Sequence, residues 1–116
     1  MIYLEFYDEG RAMTLKKHEP LELFACSVVN ALFPRPYKRD ICIGINFTKD
    51  IDTYGYCMQE SEDLITIDIN KKYSIDDKAT TIAHELVHAR QFIRGLELSE
   101  EEAYTLEVEL TEELWV

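Results

Sequence analysis

A chain of 116 residues has room for one domain with one hydrophobic core, and it is long enough to fold without a disulfide or metal staple. Hydrophobic residues at 47% and charged residues at 30% are ordinary globular proportions, which argues against extended disorder. With 23 acidic and 12 basic residues, a formal charge of −11, the chain would repel a phosphate backbone, and nucleic acid is not an expected partner.

The first element expected is a strand from Ile2 to Tyr7, rich in β-branched and aromatic residues and closed by the turn signal Asp8-Glu9-Gly10. From Leu21 to Phe33 the apolar positions 21, 24, 25, 28, 29, 32 and 33 follow the helical repeat. Pro20 suits the first turn of that helix, and Pro34 with Pro36 stops it. Ile41 to Phe47 reads as a strand, Asp50 to Gly55 as a turn, and Tyr56 to Gln59 as a short strand. Leu64 to Asn70 alternates, with Ile65, Ile67 and Ile69 on one face and Thr66, Asp68 and Asn70 on the other, which is a half-buried strand. Ser74, with Asp77 three residues on, opens a helix that should run to about Arg94, where Gly95 stands as its C-terminal cap. Ser99 and Glu102 form a second capping box and open a last helix reaching toward Trp115. The order of strand, helix, strands, helix and helix predicts an α+β domain with a small mixed sheet backed by a helix.

Cys26, Cys42 and Cys57 are odd in number and lack a CxxC spacing, which disfavours both a disulfide framework and a four-thiolate zinc site. Each is expected to be a small buried hydrophobe in a reducing compartment. The longest apolar run, Leu23 to Phe33, is interrupted by Ser27 and Asn30 and is too short to span a bilayer. The first eleven residues carry Glu5, Asp8 and Glu9 where a signal peptide would carry positive charge. A cytoplasmic location without membrane contact is the expectation. The basic residues Arg35, Lys38 and Arg39, and Lys71 with Lys72, read as solvated loop charge.

The chemistry is concentrated in His84-Glu85-Leu86-Val87-His88, in the middle of the helix that Ser74 opens. Histidines four apart project from one helix face, one turn above the other. Their ring nitrogens can reach one tetrahedral zinc at roughly 2.0–2.1 Å. Glu85, beside the first ligand, can take a proton from metal-activated water and hand it to a leaving amine. The chain has 3 histidines, and two of them make this motif.

The segment Thr80 to Gln91 (TTIAHELVHARQ) resembles the active-site helix of the zincin metallopeptidases. The small size and the Glu-rich helix that follows are similar to compact phage- or prophage-type members with a glutamate as third ligand. The resemblance covers the chain from Leu64 onward. It implies one zinc per chain held by His84 and His88, with Glu85 as general base and then acid, and a peptide or protein substrate. In zincins an edge strand before the metal helix pairs with the substrate, and Leu64–Asn70 stands in that place. Gln91 and Phe92 occupy the positions after His88, so the extended three-histidine pattern is excluded.

A third ligand should come from the last helix. His88 lies seven residues before Gly95, roughly 10 Å of helix rise, and the short link to Ser99 makes the two helices antiparallel neighbours. Counting an equal distance back points to Glu107, which also lies on the apolar stripe with Ala103, Leu106, Leu110 and Leu114. A core-facing glutamate needs a partner, and a metal ion would be one. Glu107 is the preferred ligand. Glu100, two turns earlier on the same stripe and in a Glu-x-x-small setting similar to the zincin pattern, is the alternative. Glu102 follows it, although its capping-box role already accounts for it. Glu101, Glu109, Glu112 and Glu113 form a solvated face.

Tyr104, Tyr73 and His18 are candidates for stabilising an oxyanion, with His18 expected in an exposed loop and the tyrosines otherwise in packing. Asp68 could touch substrate from the polar face of its strand, or be a surface acid. Trp115 is expected in a core or interface. The function expected is peptide hydrolysis. A silent zincin scaffold that binds without turnover, or a structural zinc domain closed by a fourth protein ligand, are the alternatives.

Overall fold

The computed structural model describes residues 1–13 and 16–115. Its elements are β1 (Ile2–Asp8), β2 (Arg11–Ala12), α1 (Glu19–Leu32), β3 (Ile41–Thr48), β4 (Gly55–Ser61), β5 (Leu64–Asn70), α2 (Ile75–Ile93) and α3 (Glu100–Leu114). The strands form one mixed sheet in the order β2-β1-β3-β5-β4. β1, β3 and β5 run parallel, and β2 and β4 lie antiparallel at the two edges. The fold is α+β, as the element order predicts. Among the described residues no helix is long and apolar enough to cross a membrane.

The alternation of each strand decides which face the helices cover. Ile41, Ile43, Ile45 and Phe47 of β3 and Ile65, Ile67 and Ile69 of β5 are all completely buried. In the sheet register Ile43 stands beside Ile65 and Ile45 beside Ile67, so their side chains form one apolar surface. Leu21, Phe24, Ala25, Val28 and Leu32 of α1 join the same core. So do Ala79, Ile82, Ala83 and Leu86 of α2. The opposite face of the sheet carries Tyr3, Tyr56 and Met58, all exposed.

Two sequence expectations about this sheet change. Leu64–Asn70 is not an edge strand: it pairs with β3 on one side and β4 on the other. The chain leaves β3, skips one position, makes β4, and turns back to fill the gap with β5. The edge is therefore β4, longer than the four residues expected. Asp68 faces away from the helices and accepts a hydrogen bond from Asn46 Nδ2 at 3.2 Å, so it is tied into the open sheet face.

Turn chemistry matches the residues present. Glu9 and Gly10 both have positive φ, 51° and 77°, the two left-handed positions of the tight turn that joins β1 to β2. β2 is only two residues long and carried no periodic signal. The three cysteines are unpaired, but Cys26 is exposed on α1 and Cys42 and Cys57 are half-buried. None is the fully buried hydrophobe expected, and Cys26 lies on the outer face of its helix, off the apolar stripe.

His18 also departs from the expected exposed loop. Its ring stacks on Phe47 at 4.1 Å, and its Nε2 lies 2.8 Å from Asp8 Oδ2. Lys71 Nζ donates to the other Asp8 oxygen at 2.7 Å. One carboxylate thus fastens the end of β1 to the start of α1 and the end of β5. The Lys71 and His18 hydrogen bonds hold the Asp8 carboxyl well below the usual carboxylate range. A depressed acid stabilises the fold above its unfolded value, about 3.9, and that stabilisation is lost as pH falls below it. Asp8→Asn should cost about 2 kcal/mol at neutral pH and flatten the acid limb of a stability-against-pH profile measured by urea unfolding.

Gly55 opens the edge strand where α2 crosses it. A Cβ there would stand 2.7 Å from the Asp68 carbonyl oxygen and 2.7 Å from Thr81 Cγ2. Glycine lets helix and strand approach that closely. Gly55→Ala should therefore lower stability by about 1–3 kcal/mol through overpacking, seen as a lower urea midpoint.

Candidate metal centre

α2 packs against the sheet, α1 and α3 at once, and crosses the sheet over β4 and β5. Ser74 caps its start by accepting from the Asp77 N–H at 3.2 Å. At its end Gly95 takes φ 66°. The Leu96 N–H bonds to Gln91 O at 2.9 Å, and the Gly95 N–H to Phe92 O at 3.1 Å. This pair of bonds is a Schellman motif, which needs a left-handed residue after the cap. The chain then doubles back along α2 into α3. Trp115 Nε1 donates to Asp76 Oδ1 at 2.8 Å, and its ring packs on Phe24, which closes the far end of the antiparallel pair.

His84 and His88 face α3 from adjacent turns, with ring centroids 4.9 Å apart. His88 is buried and His84 half-buried. Glu100, the first residue of α3, sets its two oxygens against both rings. Oε1 is 2.7 Å from His88 Nε2 and Oε2 is 3.1 Å from His84 Nε2. The three side chains offer ligand atoms that all lie within 4.8 Å of one another. Among the described residues no other group of histidine, cysteine, aspartate and glutamate side chains converges in this way.

Glu107, preferred from the sequence, stands elsewhere. Its Oε1 accepts from His84 Nδ1 at 2.9 Å, behind the ring and on the side away from Glu100. The equal-distance count assumed that α3 starts level with Gly95. In fact Ser99 is hydrogen-bonded to the side chain of Gln91, so α3 starts about one turn past His88 and brings Glu100 abreast of it. Glu107, two turns on, is level with His84 and meets its outer nitrogen. Its need for a partner is met by imidazole. Ser99 caps α3 by accepting from the Glu102 N–H at 3.1 Å, but the Glu102 carboxylate does not close the expected capping box: the Ser99 N–H is held by Gln91, and Glu102 accepts from Gln91 Nε2 instead.

Glu85 is 7% exposed, and no hydrogen-bond partner holds its carboxylate among the described residues. Burial pushes its carboxyl above the ordinary value; the two imidazoles pull it back, and Glu100 and Glu107 add to the rise. Across from it lies Cys57 of β4, whose thiol is pushed up by burial and by the Glu85 charge.

His84 and Glu85 open on a cleft of about 470 Å³, with His88 buried behind them and outside its lining. One wall is Thr53, Tyr54 and Gly55 at the start of the edge strand; another is Asp77, Thr80 and Thr81 on α2. Glu100, Tyr104 and Glu107 close it from α3. Of the three oxyanion candidates, only Tyr104 lines this cleft, with its ring 4.7 Å from that of His84. Tyr73 stacks on Tyr54, and His18 is committed to Asp8. Tyr54 was not singled out from the sequence, because a tyrosine inside a turn segment has no pattern to mark it.

The donor set suits a divalent metal. Two imidazole nitrogens and a carboxylate oxygen are ligands that zinc favours, and three protein ligands leave a position for solvent. Both histidines have the outer nitrogen engaged by an acceptor, the arrangement that orients a metal-binding imidazole and raises its basicity.

The fold and site together define an α+β protein with a possible His-His-Glu metal triad at the wall of an open cleft. Comparisons with protein-family models, with curated proteins and with solved structures give no match, so function is argued from this geometry. Glu100→Ala should abolish zinc binding, whereas Glu107→Gln should weaken it about 10–100-fold. Metal analysis after dialysis, with competition titration against a chromogenic chelator, would check both. A larger loss in Glu107→Gln than in Glu100→Ala would reverse the assignment of the two glutamates.

Proposed function

We propose that the protein is a zinc-dependent peptidase, with His84, His88 and Glu100 as ligands and Glu85 as general base and then acid. The observation that carries this reading is the convergence of three ligand side chains from two helices beside a largely buried carboxylate that faces the cleft. Burial raises the Glu85 carboxyl while its oxygens stay open to the cleft, and a cation beside it would favour the charged form. When bound, zinc supplies Lewis acidity, polarising a carbonyl and acidifying water to a pKa near 7.

The chain's own residues account for the rest. Glu85, with its carboxyl raised by burial, is suited to accept a proton from water at the cleft floor and return it to the departing amine. Tyr104 faces the same space and can donate to a developing oxyanion. Substrate is read as lying along β4, since Leu64–Asn70 is paired on both sides. An extended peptide can add to a free strand edge by main-chain hydrogen bonds, and the start of β4 already forms one wall of the cleft. The reading is that of a small zincin with a glutamate third ligand. A structural zinc site is disfavoured because only three ligand side chains converge among the described residues.

Glu85→Gln keeps the shape of the site and removes the base. It should bind zinc stoichiometrically and lose peptide hydrolysis by about 10²–10⁴-fold, measured on a quenched-fluorescence peptide library. Cleavage at the wild-type rate by this variant would remove Glu85 from the mechanism. A wild type that holds zinc yet cleaves nothing would favour the scaffold reading.

A further inference from the structure

Gln91 is 1% exposed, lies one turn beyond His88, and does not line the cleft. A primary amide offers two donors and two acceptor positions, and here all four are used. Oε1 accepts from His88 Nδ1 at 2.8 Å and from the Ser99 N–H at 3.1 Å. Nε2 donates to the Ser99 carbonyl at 3.1 Å and to Glu102 Oε1 at 3.0 Å.

The backbone of Ser99 removes the usual ambiguity of an amide, whose two ends look alike. A backbone N–H can only donate and a carbonyl can only accept, so the amide fits one way round, with its oxygen toward His88. That oxygen can only accept. His88 therefore presents its Nδ1–H to the amide, which turns Nε2 toward Glu100, 2.7 Å from its Oε1. The same amide grips Ser99, the N-cap of α3 and the residue immediately before Glu100.

We propose that Gln91 is a positioning residue that couples two metal ligands, fixing the ring orientation of His88 and placing Glu100 level with it. It touches neither metal nor substrate, and the proposal rests on the reading of His84, His88 and Glu100 as a metal centre. Metal affinity and the register of the α2–α3 hairpin then change together. A residue that merely tied off the hairpin would alter stability and leave the metal's surroundings in the folded protein as they were.

The test uses the full chain, zinc itself as ligand, and cobalt(II) as a spectroscopic probe, under conditions where circular dichroism shows each variant folded. Gln91→Met keeps the volume and removes the amide. Its zinc Kd should rise about 10–100-fold, with a changed cobalt(II) visible spectrum. Gln91→Glu keeps the acceptor for His88 but opposes one carboxylate to another at Glu102. It should bind zinc more weakly than the double variant Gln91→Glu with Glu102→Gln, in which residue 102 becomes the donor.

Unchanged zinc Kd and cobalt spectrum in folded Gln91→Met would overturn the proposal while leaving the metal centre standing. If that variant does not fold, the single and double carboxylate variants decide, since they preserve size: equal affinities overturn the proposal, and recovery in the double variant supports it. A wild type that takes up no zinc would remove the metal centre and this inference together.

Discussion

The structure depends on how α2 is buried. A helix enclosed by a sheet and two other helices cannot rotate without exposing apolar surface, so its apolar positions fix the direction of every other side chain. Ala79, Ile82, Ala83 and Leu86 are fully or almost fully buried in the core. Burying a large aliphatic side chain is worth about 1.5–3 kcal/mol, and turning the helix would forfeit several such terms. His84, Glu85 and His88 share the helix with this stripe. Small residues at 79, 83 and 89 let the neighbouring elements come close, and Gly55 does the same from the strand side.

A second constraint is electrostatic. Three glutamates, at 85, 100 and 107, gather around two imidazoles in a protein with a formal charge of −11. Glu100 and Glu107 have histidine partners, and the Glu85 carboxylate faces the cleft. Desolvation of Glu85 and the like charges beside it carry a folding cost that a bound cation would offset. Under the proposed metal reading the cost is recovered on binding, because a ligand that prefers the native state stabilises it by mass action. Burial raises the Glu85 carboxyl, the two imidazoles lower it, and neighbouring acids raise it again, which under the proposed reading would suit a base. On that reading stability and chemistry would be set by one group of charges.

Much of this was legible in the sequence, and the failures have specific causes. The strands over Ile41–Phe47 and Leu64–Asn70 and the two long helices follow from side-chain period and caps, which are local properties. The grouping of His84 with His88 is equally local, being one helical turn. The partner from α3 is not local. Its register depends on a contact between Gln91 and the backbone of Ser99, and a helix count cannot see a loop that doubles back. Glu107 is half-buried and lines the cleft rather than the core, and its partner is the outer nitrogen of His84. Strand order was hidden for a related reason: nothing in the alternation of Ile65, Ile67 and Ile69 says whether the next strand lies on one side or both. His18 looked like a loop residue because its neighbours are charged and followed by proline, and its place on Phe47 is tertiary.

The position of β4 joins these threads. An exposed strand edge is a hazard, since its free N–H and C=O groups can pair with any extended chain. This edge leads into the cleft at Thr53, Tyr54 and Gly55, and the glycine that brings it against α2 sits one helical turn from His84. Any side chain at position 55 would push strand and helix apart and widen the gap between the edge and Glu85. The free edge and the convergent ligands are therefore held in register by the same close approach. That coincidence is hard to explain for a purely structural metal site, which has no use for an accessible strand beside it. The proposed peptidase reading would account for it, because the hydrogen bonds that hold an extended substrate must be fixed in distance from the group that attacks it.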